Sequence, residues 1–219
     1  AVQSAVAKLW LEKTGCPICE GYGLSETSPS ASCNPTTSRH FTGTIGVPIP
    51  STWFKLLDDE GREVPPGEPG EIAIKGPQVM AGYWQRPDET AKVMTADGYF
   101  KSGDIGVVDA SGFFKIIDRK KDMILVSGFN VYPNEIEDVV SELHGVLECA
   151  CVGMPDDKTS EAVKLLIVKR NPELTEAQVR DHCKANLAGY KLPKLIEFRA
   201  ELPKTPVGKI LRRELREKK

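Results

Sequence analysis

The sequence predicts a mixed fold: an α/β portion with a small antiparallel, barrel-like β unit, followed by a small, mobile α+β domain. Three observations predict it. Short strands with turn residues run from Thr44 to Asp118, four charges lie between two apolar strands at residues 118–121, and helices alternate with strands after Pro133. The predicted parts are residues 1–118, a hinge at residues 119–121 and residues 122–219.

The first part is expected to open with a helix that ends near Gly15. Its apolar face has the i, i+4, i+7, i+8 spacing of a helix and consists of Val2, Val6, Leu9 and Trp10. A short strand is predicted at residues 18–20, and the Ser/Thr/Pro-rich stretch at residues 27–38 predicts an irregular loop.

The barrel-like unit is predicted from alternating apolar residues bounded by glycines and acidic turns. Residues 109–112 have the composition of a hairpin turn. The predicted strands are residues 53–57, 71–75, 99–101, 105–108 and 113–117.

The charged run at residues 118–121 is the feature on which the domain division depends. Unpaired charges are too costly to bury inside a sheet, so the run predicts a solvent-facing crossing between two units. A charged hairpin turn explains the local pattern equally well. A second apolar strand, residues 123–126, and a glycine corner at Ser127–Gly128 follow.

The second part is predicted to mix helices and strands. Pro133 is typical of a first helical position, and early acids favour a helix there. Thr175 and Gln178 form a capping box that opens another helix, which runs to Leu187. The predicted strands are residues 148–153, 162–169 and 194–198.

Composition excludes several classes of protein. A formal net charge of −2 argues against a basic nucleic-acid-binding face. The sequence has no run of about 18 apolar residues and no charged-then-apolar leader, so neither a membrane span nor secretion is indicated. It begins without methionine inside an amphipathic segment, and we expect it to be cut from a longer chain.

Six cysteines raise the question of a redox or metal site. Cys16 and Cys19 have redox or half-zinc spacing, but no second pair completes a tetrahedral zinc site. Cys149 and Cys151 are two apart on a predicted strand and therefore share a face. We interpret the cysteines as reduced thiols packed as small apolar groups, which indicates a reducing, cytoplasmic setting.

Two stretches are candidates for binding a nucleotide. The Gly-x-Gly stretch at residues 21–27 allows close approach of backbone to a ligand, and its Glu26 and Thr27 offer oxygen ligands to Mg²⁺. Asp104 lies near glycines at a strand end, where a carboxylate can accept two sugar hydroxyls. Alternatively, the first stretch is an ordinary turn and Asp104 caps turn amides.

The C-terminal tail contains a candidate mobile lysine. Leu211 and Leu215 share a helical face, while most other residues there are charged and fit a solvated basic end. Lys209 lies on a Pro/Gly-rich loop before that helix, so it can be carried to another site.

Taken together and in this order, five motifs resemble the adenylate-forming superfamily, and within it the bacterial long-chain fatty acyl-CoA synthetases. The resemblance covers essentially all 219 residues. The motifs are residues 21–27, residues 70–77 with 82–84, residues 102–104, residues 118–122 with Gly128 and 135–137, and residues 203–205 with 208–210.

The resemblance implies that ATP and a carboxylate form an acyl adenylate and pyrophosphate, and that the thiol of coenzyme A then displaces AMP. It places Tyr22, with Gly21 and Gly23, against adenine and Thr27 near the AMP phosphate. It assigns Glu26 to Mg²⁺, Asp104 to the ribose hydroxyls and Arg119 to a ribose or phosphate contact.

For the second part, the resemblance implies that Lys209 bridges the attacking carboxylate and the α-phosphate. Lys121 is the implied pivot of a domain rotation between the two half-reactions. After rotation, Ser127, Gly128 and Phe129 would face the active site and leave a path for the pantetheine arm of coenzyme A. The resemblance further implies an adenylate contact for Asn130 and a coenzyme A phosphate contact for Lys191.

Two features depart from the family pattern. The phosphate loop and acyl pocket lie upstream of anything present, so we expect a C-terminal portion that is inactive alone. In addition, Tyr99, Lys101 and Ser102 stand where Trp, His and Thr are usual, which leaves chain-length preference open.

Two rival functions remain. One is a ligase that loads an acyl adenylate onto a carrier-protein thiol, and the other is a non-catalytic nucleotide-binding module. The expected partners are fatty acid, ATP and coenzyme A, with no nucleic acid. Peripheral contact with the inner face of the membrane and a homodimer are compatible with the resemblance.

Overall fold

A computed structural model describes residue 2, residues 4–206 and residues 208–216. In this part of the chain the helices are α1 (Ser4–Thr14), α2 (Pro87–Val93), α3 (Pro133–Ser141), α4 (Glu176–Asn186) and α5 (Arg212–Leu215). The strands are β1 (Gly21–Gly23), β2 (Ser30–Cys33), β3 (Val47–Pro48), β4 (Trp53–Leu57), β5 (Gly70–Lys75), β6 (Phe100–Val108), β7 (Phe114–Arg119), β8 (Ile124–Val126), β9 (Phe129–Val131), β10 (Val146–Asp156), β11 (Ser160–Lys169) and β12 (Leu195–Arg199).

The chain divides into two compact units, Ala1–Lys120 and Lys121–Lys219, hereafter unit 1 and unit 2. The boundary between them lies inside the stretch 119–121 where the charge run predicts a hinge. The short 3₁₀ turn Lys120–Asp122 spans this boundary. Rotation about Lys121 itself stays a prediction.

Unit 1 is built from two antiparallel sheets. One has the strand order β1-β2-β3 and the other the order β4-β5-β6-β7. Ile72 and Ile74 of β5 are fully buried and pack with Leu56 and Phe114 in one core cluster. Phe54 packs against this cluster through an edge-to-face contact with Phe114, in which the ring centroids are 5.1 Å apart. The predicted antiparallel β unit is therefore present.

Several predicted boundaries in unit 1 are wrong. The strand predicted at residues 18–20 begins at Gly21 instead, so the Gly-x-Gly stretch is strand β1 and not a loop. The loop predicted at residues 27–38 contains β2. Residues 100–101 and 105–108 belong to the single strand β6, which Gly103 at φ +75° does not interrupt, and Tyr99 lies just before this strand.

Helices were predicted less well than strands in unit 1. Helix α2 was not predicted, although it begins with proline in its first turn and carries two acids there. Helix α1 is present as predicted, and three residues of its apolar face are exposed: Val6, Leu9 and Trp10 are 52%, 55% and 51% exposed.

Unit 2 has one mixed sheet with helices packed on it. Its strand order is β10-β11-β8-β9, and β12 pairs in parallel with β11. Strands β10 and β11 form a long antiparallel hairpin. Helix α3 buries Ile136 and Val140 against the sheet, and α4 buries Val179 and Cys183. The α+β pattern predicted for this part is confirmed.

Both helix starts predicted in unit 2 are confirmed. Pro133 occupies the first turn of α3. At α4, the Thr175 hydroxyl accepts from the Gln178 N–H at 3.3 Å, and the Thr175 N–H donates to the Gln178 side chain at 2.9 Å. This reciprocal pair is the predicted capping box.

The charged run at residues 118–121 is only partly solvent-facing. Strand β7 continues through Asp118 and Arg119, and Asp118 is 1% exposed. Its carboxylate accepts a hydrogen bond from the Arg119 N–H at 2.7 Å. The expectation that all four charges face water was therefore wrong, because hydrogen bonding allows the first of them to be buried.

The cysteines fall into two groups, all of them free thiols. Cys149, Cys151 and Cys183 are buried in the core of unit 2, as predicted, and burial raises the pKa of the Cys149 and Cys183 thiols. Cys16, Cys19 and Cys33 are exposed, so the packing predicted for them is wrong. Across the described residues no cluster of His, Cys, Asp and Glu has metal-site geometry, and no helix is long and apolar enough to cross a bilayer.

Candidate functional site

Asp104 is the centre of the site in unit 1. It lies inside β6, is 6% exposed, and therefore is not the turn residue that the alternative interpretation proposed. The Tyr22 hydroxyl, from β1, donates to its Oδ2 at 2.6 Å. Arg119, opposite it in the β6–β7 pairing, places Nε 3.5 Å from its Oδ1. Three residues predicted to bind the nucleotide are thus brought together.

A carboxylate has about four acceptor positions. Because Tyr22 and Arg119 use only part of this capacity, Asp104 retains positions that can accept hydroxyl donors. The arrangement also leaves the Tyr22 phenol neutral: burial first, and then the negative charge of Asp104 and their hydrogen bond, raise its pKa.

The backbone around Asp104 is fixed by groups that the sequence analysis assigned no role. The Asp104 N–H donates to Ser102 Oγ at 3.1 Å, and that hydroxyl donates to a carbonyl of β5 at 2.7 Å. The N–H of Gly103, at φ +75°, donates to Glu71 Oε1 at 3.1 Å. Lys120 Nζ binds the other Glu71 oxygen at 3.0 Å. A carboxylate inside an otherwise apolar strand was the sequence signal for Glu71.

Glu26 and Thr27 lie on a 3₁₀ turn, Ser25–Thr27, directly after β1. The Thr27 side chain is fully buried, and its hydroxyl donates to the Pro29 carbonyl at 2.6 Å and accepts from the Leu24 N–H at 2.9 Å. In this structure Thr27 therefore shapes the turn. Its predicted contact with the AMP phosphate stays a prediction.

Glu26 is the residue that the sequence proposes for Mg²⁺. The Tyr83 hydroxyl donates to its Oε1 at 2.9 Å, a contact that the sequence analysis did not foresee although Tyr83 belongs to one of the quoted motifs. Mg²⁺ in nucleotide sites is held by one or two carboxylates together with phosphate oxygens and water. Glu26 is half-buried and supplies one carboxylate. It would therefore suit a Mg²⁺ ion whose other ligands are phosphate oxygens and water.

Four residues predicted to face the reacting groups in unit 2 lie on the β8–β9 hairpin. Ser127 and Gly128 have φ of +50° and +84°, a pair of left-handed residues that suits a two-residue turn. A Cβ at Gly128 would meet open space, so in the described structure its φ requires glycine. Phe129 and Asn130 follow on β9, and both are exposed.

Lys191 lies near this hairpin. Tyr190, its neighbour in the chain, stacks on Phe129 with ring centroids 4.8 Å apart. The Lys191 ammonium contacts both Glu135 oxygens, at 2.5 and 2.7 Å, and its side chain is 17% exposed. Lys191 therefore lies beside the other residues predicted to bind coenzyme A, with its charge already paired.

Lys209 lies in a closed loop of unit 2. Its backbone N–H donates to Thr205 Oγ1 at 3.1 Å, and the Thr205 N–H donates to the Lys209 carbonyl at 2.8 Å. Lys209 is exposed. It is therefore an exposed cation on a loop that hydrogen bonds with Thr205 hold closed.

The hydrogen bond of Tyr22 to Asp104 leads to a first testable prediction. We expect Tyr22→Phe to speed amide hydrogen exchange in β1 and β6 of this chain about tenfold or more, because a buried carboxylate oxygen loses its donor, at a cost of about 1–3 kcal/mol. Exchange measured by mass spectrometry on the variant and the parent would test this.

Tyr83→Phe is the matched control, since Tyr83 also donates to a carboxylate of unit 1 but is 37% exposed, so that water can replace it. The dependence of stability on pH is a second readout. The raised Tyr22 pKa means that its contribution to stability is complete below about pH 10, the pKa of an unfolded phenol, and is lost as pH rises through the folded value. Equal exchange in all three proteins would contradict the assigned role.

The two units and the carboxylate–tyrosine pair fit the class of adenylate-forming proteins. Sequence-family comparison agrees: "AMP-binding enzyme" matches residues 1–84, and "AMP-binding enzyme C-terminal domain" matches residues 135–209. The chain belongs to this AMP-binding enzyme family.

Several relatives of this chain share one name. It is 57% identical over 216 residues to a long-chain-fatty-acid–CoA ligase of Escherichia coli O6:H1, a match that covers 99% of the chain and 38% of that relative. A protein of the same name from Bacillus subtilis is 46% identical over 206 residues, with 93% and 37% covered. The chain thus spans well under half of the length of these relatives.

Solved structures agree on the fold. ATP-bound MatB from Rhodopseudomonas palustris superposes with a TM-score of 0.93 at 34% sequence identity, over 97% of this chain and 42% of that one. The predicted resemblance to the adenylate-forming superfamily, and the predicted fold class, are confirmed.

Proposed function

We propose that this chain is the C-terminal portion of a long-chain fatty acid–CoA ligase. The observation that carries the proposal is the 57% identity across 216 residues to a relative of that name. In the proposed reaction the fatty carboxylate attacks the α-phosphate of ATP and releases pyrophosphate. The thiol of coenzyme A then attacks the acyl carbonyl, forms the thioester and releases AMP.

The unit 1 site supports nucleotide binding in this proposal. Asp104 would accept the ribose hydroxyls, Arg119 would contact ribose or phosphate, and the Tyr22 ring would lie against adenine. Support comes from the buried position of Asp104 and its contacts with Tyr22 and Arg119. Thr27 would contact the AMP phosphate. Glu26 would hold Mg²⁺, which when bound neutralises phosphate charge.

Unit 2 would supply the mobile groups. Lys209 would stabilise negative charge as the carboxylate attacks phosphorus. Lys121 would be the pivot, after whose rotation Ser127, Gly128 and Phe129 line the path of coenzyme A. Asn130 would contact the adenylate and Lys191 the coenzyme A phosphate, although Lys191 must then exchange Glu135 for phosphate.

We also propose that the whole enzyme works in the cytoplasm, with peripheral contact at the inner face of the membrane. Its partners would be fatty acid, ATP and coenzyme A, and it would form a homodimer. Three thiols packed in the core of unit 2 support the reducing setting.

The test is a hybrid enzyme, in which this chain replaces the matching portion of the Escherichia coli O6:H1 relative. We expect the hybrid to convert ATP, a long-chain fatty acid and coenzyme A to acyl-CoA, AMP and pyrophosphate, measured by mass spectrometry and pyrophosphate release. Acyl transfer to a carrier-protein thiol in place of coenzyme A would support the first rival function. A folded hybrid without either activity would contradict the proposal.

A further inference from the structure

The loop that carries Lys209 is braced at its base. Lys204 and Ile210 form a β-bridge, and the Leu211 N–H donates to the Pro203 carbonyl at 2.8 Å. Leu202 before the loop and Leu215 after it are 4% and 3% exposed and pack in one apolar cluster. The loop is therefore anchored on the sheet of unit 2 by residues on both sides of the lysine.

Two arginines that follow this loop reach back to the start of unit 2. Arg216 donates to the Lys121 carbonyl at 3.0 Å and to Asp122 Oδ1 at 2.6 Å. Arg212 NH1 lies 3.5 Å from Asp122 Oδ2. Both oxygens of Asp122 thus face an arginine, and the carbonyl of the proposed pivot residue, Lys121, is itself bound.

Arg212 also ties this cluster to helix α3. Its Nε and one terminal nitrogen bind the two oxygens of Glu137 at 3.0 and 2.6 Å, and the same terminal nitrogen donates to Asn134 Oδ1 at 2.5 Å. A two-point arginine–carboxylate contact fixes geometry as well as charge.

The cluster is sheltered from water, unlike most surface ion pairs. The side chains of Arg212, Asp122 and Glu137 are 17%, 13% and 15% exposed, and that of Arg216 is 35% exposed. Two positive and two negative groups balance. Exposed pairs such as Arg213–Glu214, at 4.0 Å with the arginine 81% exposed, contribute little by comparison.

We propose that Arg212, Arg216 and Asp122 form an ionic link. This link makes the backbone at Lys121–Asp122 and the Lys209 loop move as one body. Arg212 and Arg216 are thereby positioning residues for Lys209. The inference rests on the proposed function, in which Lys121 is the pivot and Lys209 acts on the α-phosphate. The link adds a direct ionic connection between the pivot and the loop to the packing that already holds the loop on the sheet of unit 2.

The link itself is tested on this chain, without reference to activity. Asp122→Asn keeps the shape of the side chain and removes its charge, and Arg216→Gln removes the partner. We expect each variant to speed amide exchange about tenfold in residues 203–211 and at Asp122–Met123. Arg213→Gln, on helix α5 three residues before Arg216, is the control and should match the parent. Unchanged exchange in both variants would overturn the link.

The consequence for catalysis is tested in the hybrid enzyme. A misplacement of about 1 Å of a reacting group costs on the order of 100-fold in rate, so Asp122→Asn and Arg216→Gln should lower kcat for adenylate formation about 10- to 100-fold, with KM for the fatty acid unchanged. Because the two residues contact each other within one cluster, the double variant should lose less than the product of the two single losses. The positioning role would be overturned if the losses of the two single variants multiply in the double variant. It would also be overturned if the variants keep the parental kcat.

The two experiments separate the two proposals. A parent hybrid without ligase activity would contradict the proposed function. The exchange measurement would then decide the link by itself, because it needs neither substrate nor the upstream portion. An active parent hybrid whose Asp122→Asn variant keeps parental kcat, despite faster exchange, would overturn the positioning role alone.

Discussion

Replacing Lys209 by alanine in the hybrid enzyme should lower the rate of adenylate formation about 100- to 1,000-fold, the loss typical of removing one donor that stabilises transition-state charge. The lysine is exposed and its loop is held by backbone contacts with Thr205, so alanine should leave the loop intact. The loss would therefore reflect the missing ammonium and not a collapsed loop.

The two half-reactions distinguish this role. Adenylate formation is measured by the fatty-acid-dependent exchange of pyrophosphate into ATP. Thioester formation is measured by supplying a premade long-chain acyl adenylate together with coenzyme A. The second step should stay near the parental rate. Lys204→Gln, on the same loop but paired with Glu148 at 2.5 Å, is the control. Equal losses in both steps would refute the assignment.

Lys121→Pro should have the opposite effect in the hybrid: adenylate formation retained, and thioester formation lowered about 100-fold or more. Proline fixes φ near −65°. That value suits a 3₁₀ turn such as Lys120–Asp122, because 3₁₀ helices in general have φ of about −50° to −70°. The variant should hold the hinge in one state and remove the torsional change on which domain rotation depends.

Two controls accompany this variant. Lys121→Ala keeps backbone freedom and should support both half-reactions. Because proline also disfavours helical backbone at the preceding residue, Lys120, thermal unfolding of the variant chain should be compared with the parent. A folded Lys121→Pro hybrid that makes thioester at the parental rate would show that the pivot lies elsewhere.

Local patterns predicted much of the fold correctly. Pro133 and the Thr175–Gln178 pair marked two helix starts, because proline and capping boxes act through neighbouring backbone groups. Residues 109–112 marked the β6–β7 turn, where the Asp109 N–H donates to the Phe113 carbonyl at 3.0 Å. Such features depend on a few consecutive residues and are therefore readable in the sequence.

The errors arose where burial and long-range partners decide the outcome. Gly21–Gly23 has the composition of a loop but forms a strand, because strand β2, which ends at Cys33, pairs with it. Asp118 was expected in water and is buried, and its carboxylate accepts a hydrogen bond from the Arg119 N–H.

The sequence by itself determined the family and the order of its motifs, because each motif is a run of residues that are close along the chain. Only the tertiary structure decided that Tyr22 donates to Asp104, 82 positions away, and that Glu71 supports Gly103. It alone joined Arg216 to Asp122, 94 positions away. Such contacts depend on how strands from distant parts of the chain pair and pack, which local composition does not specify.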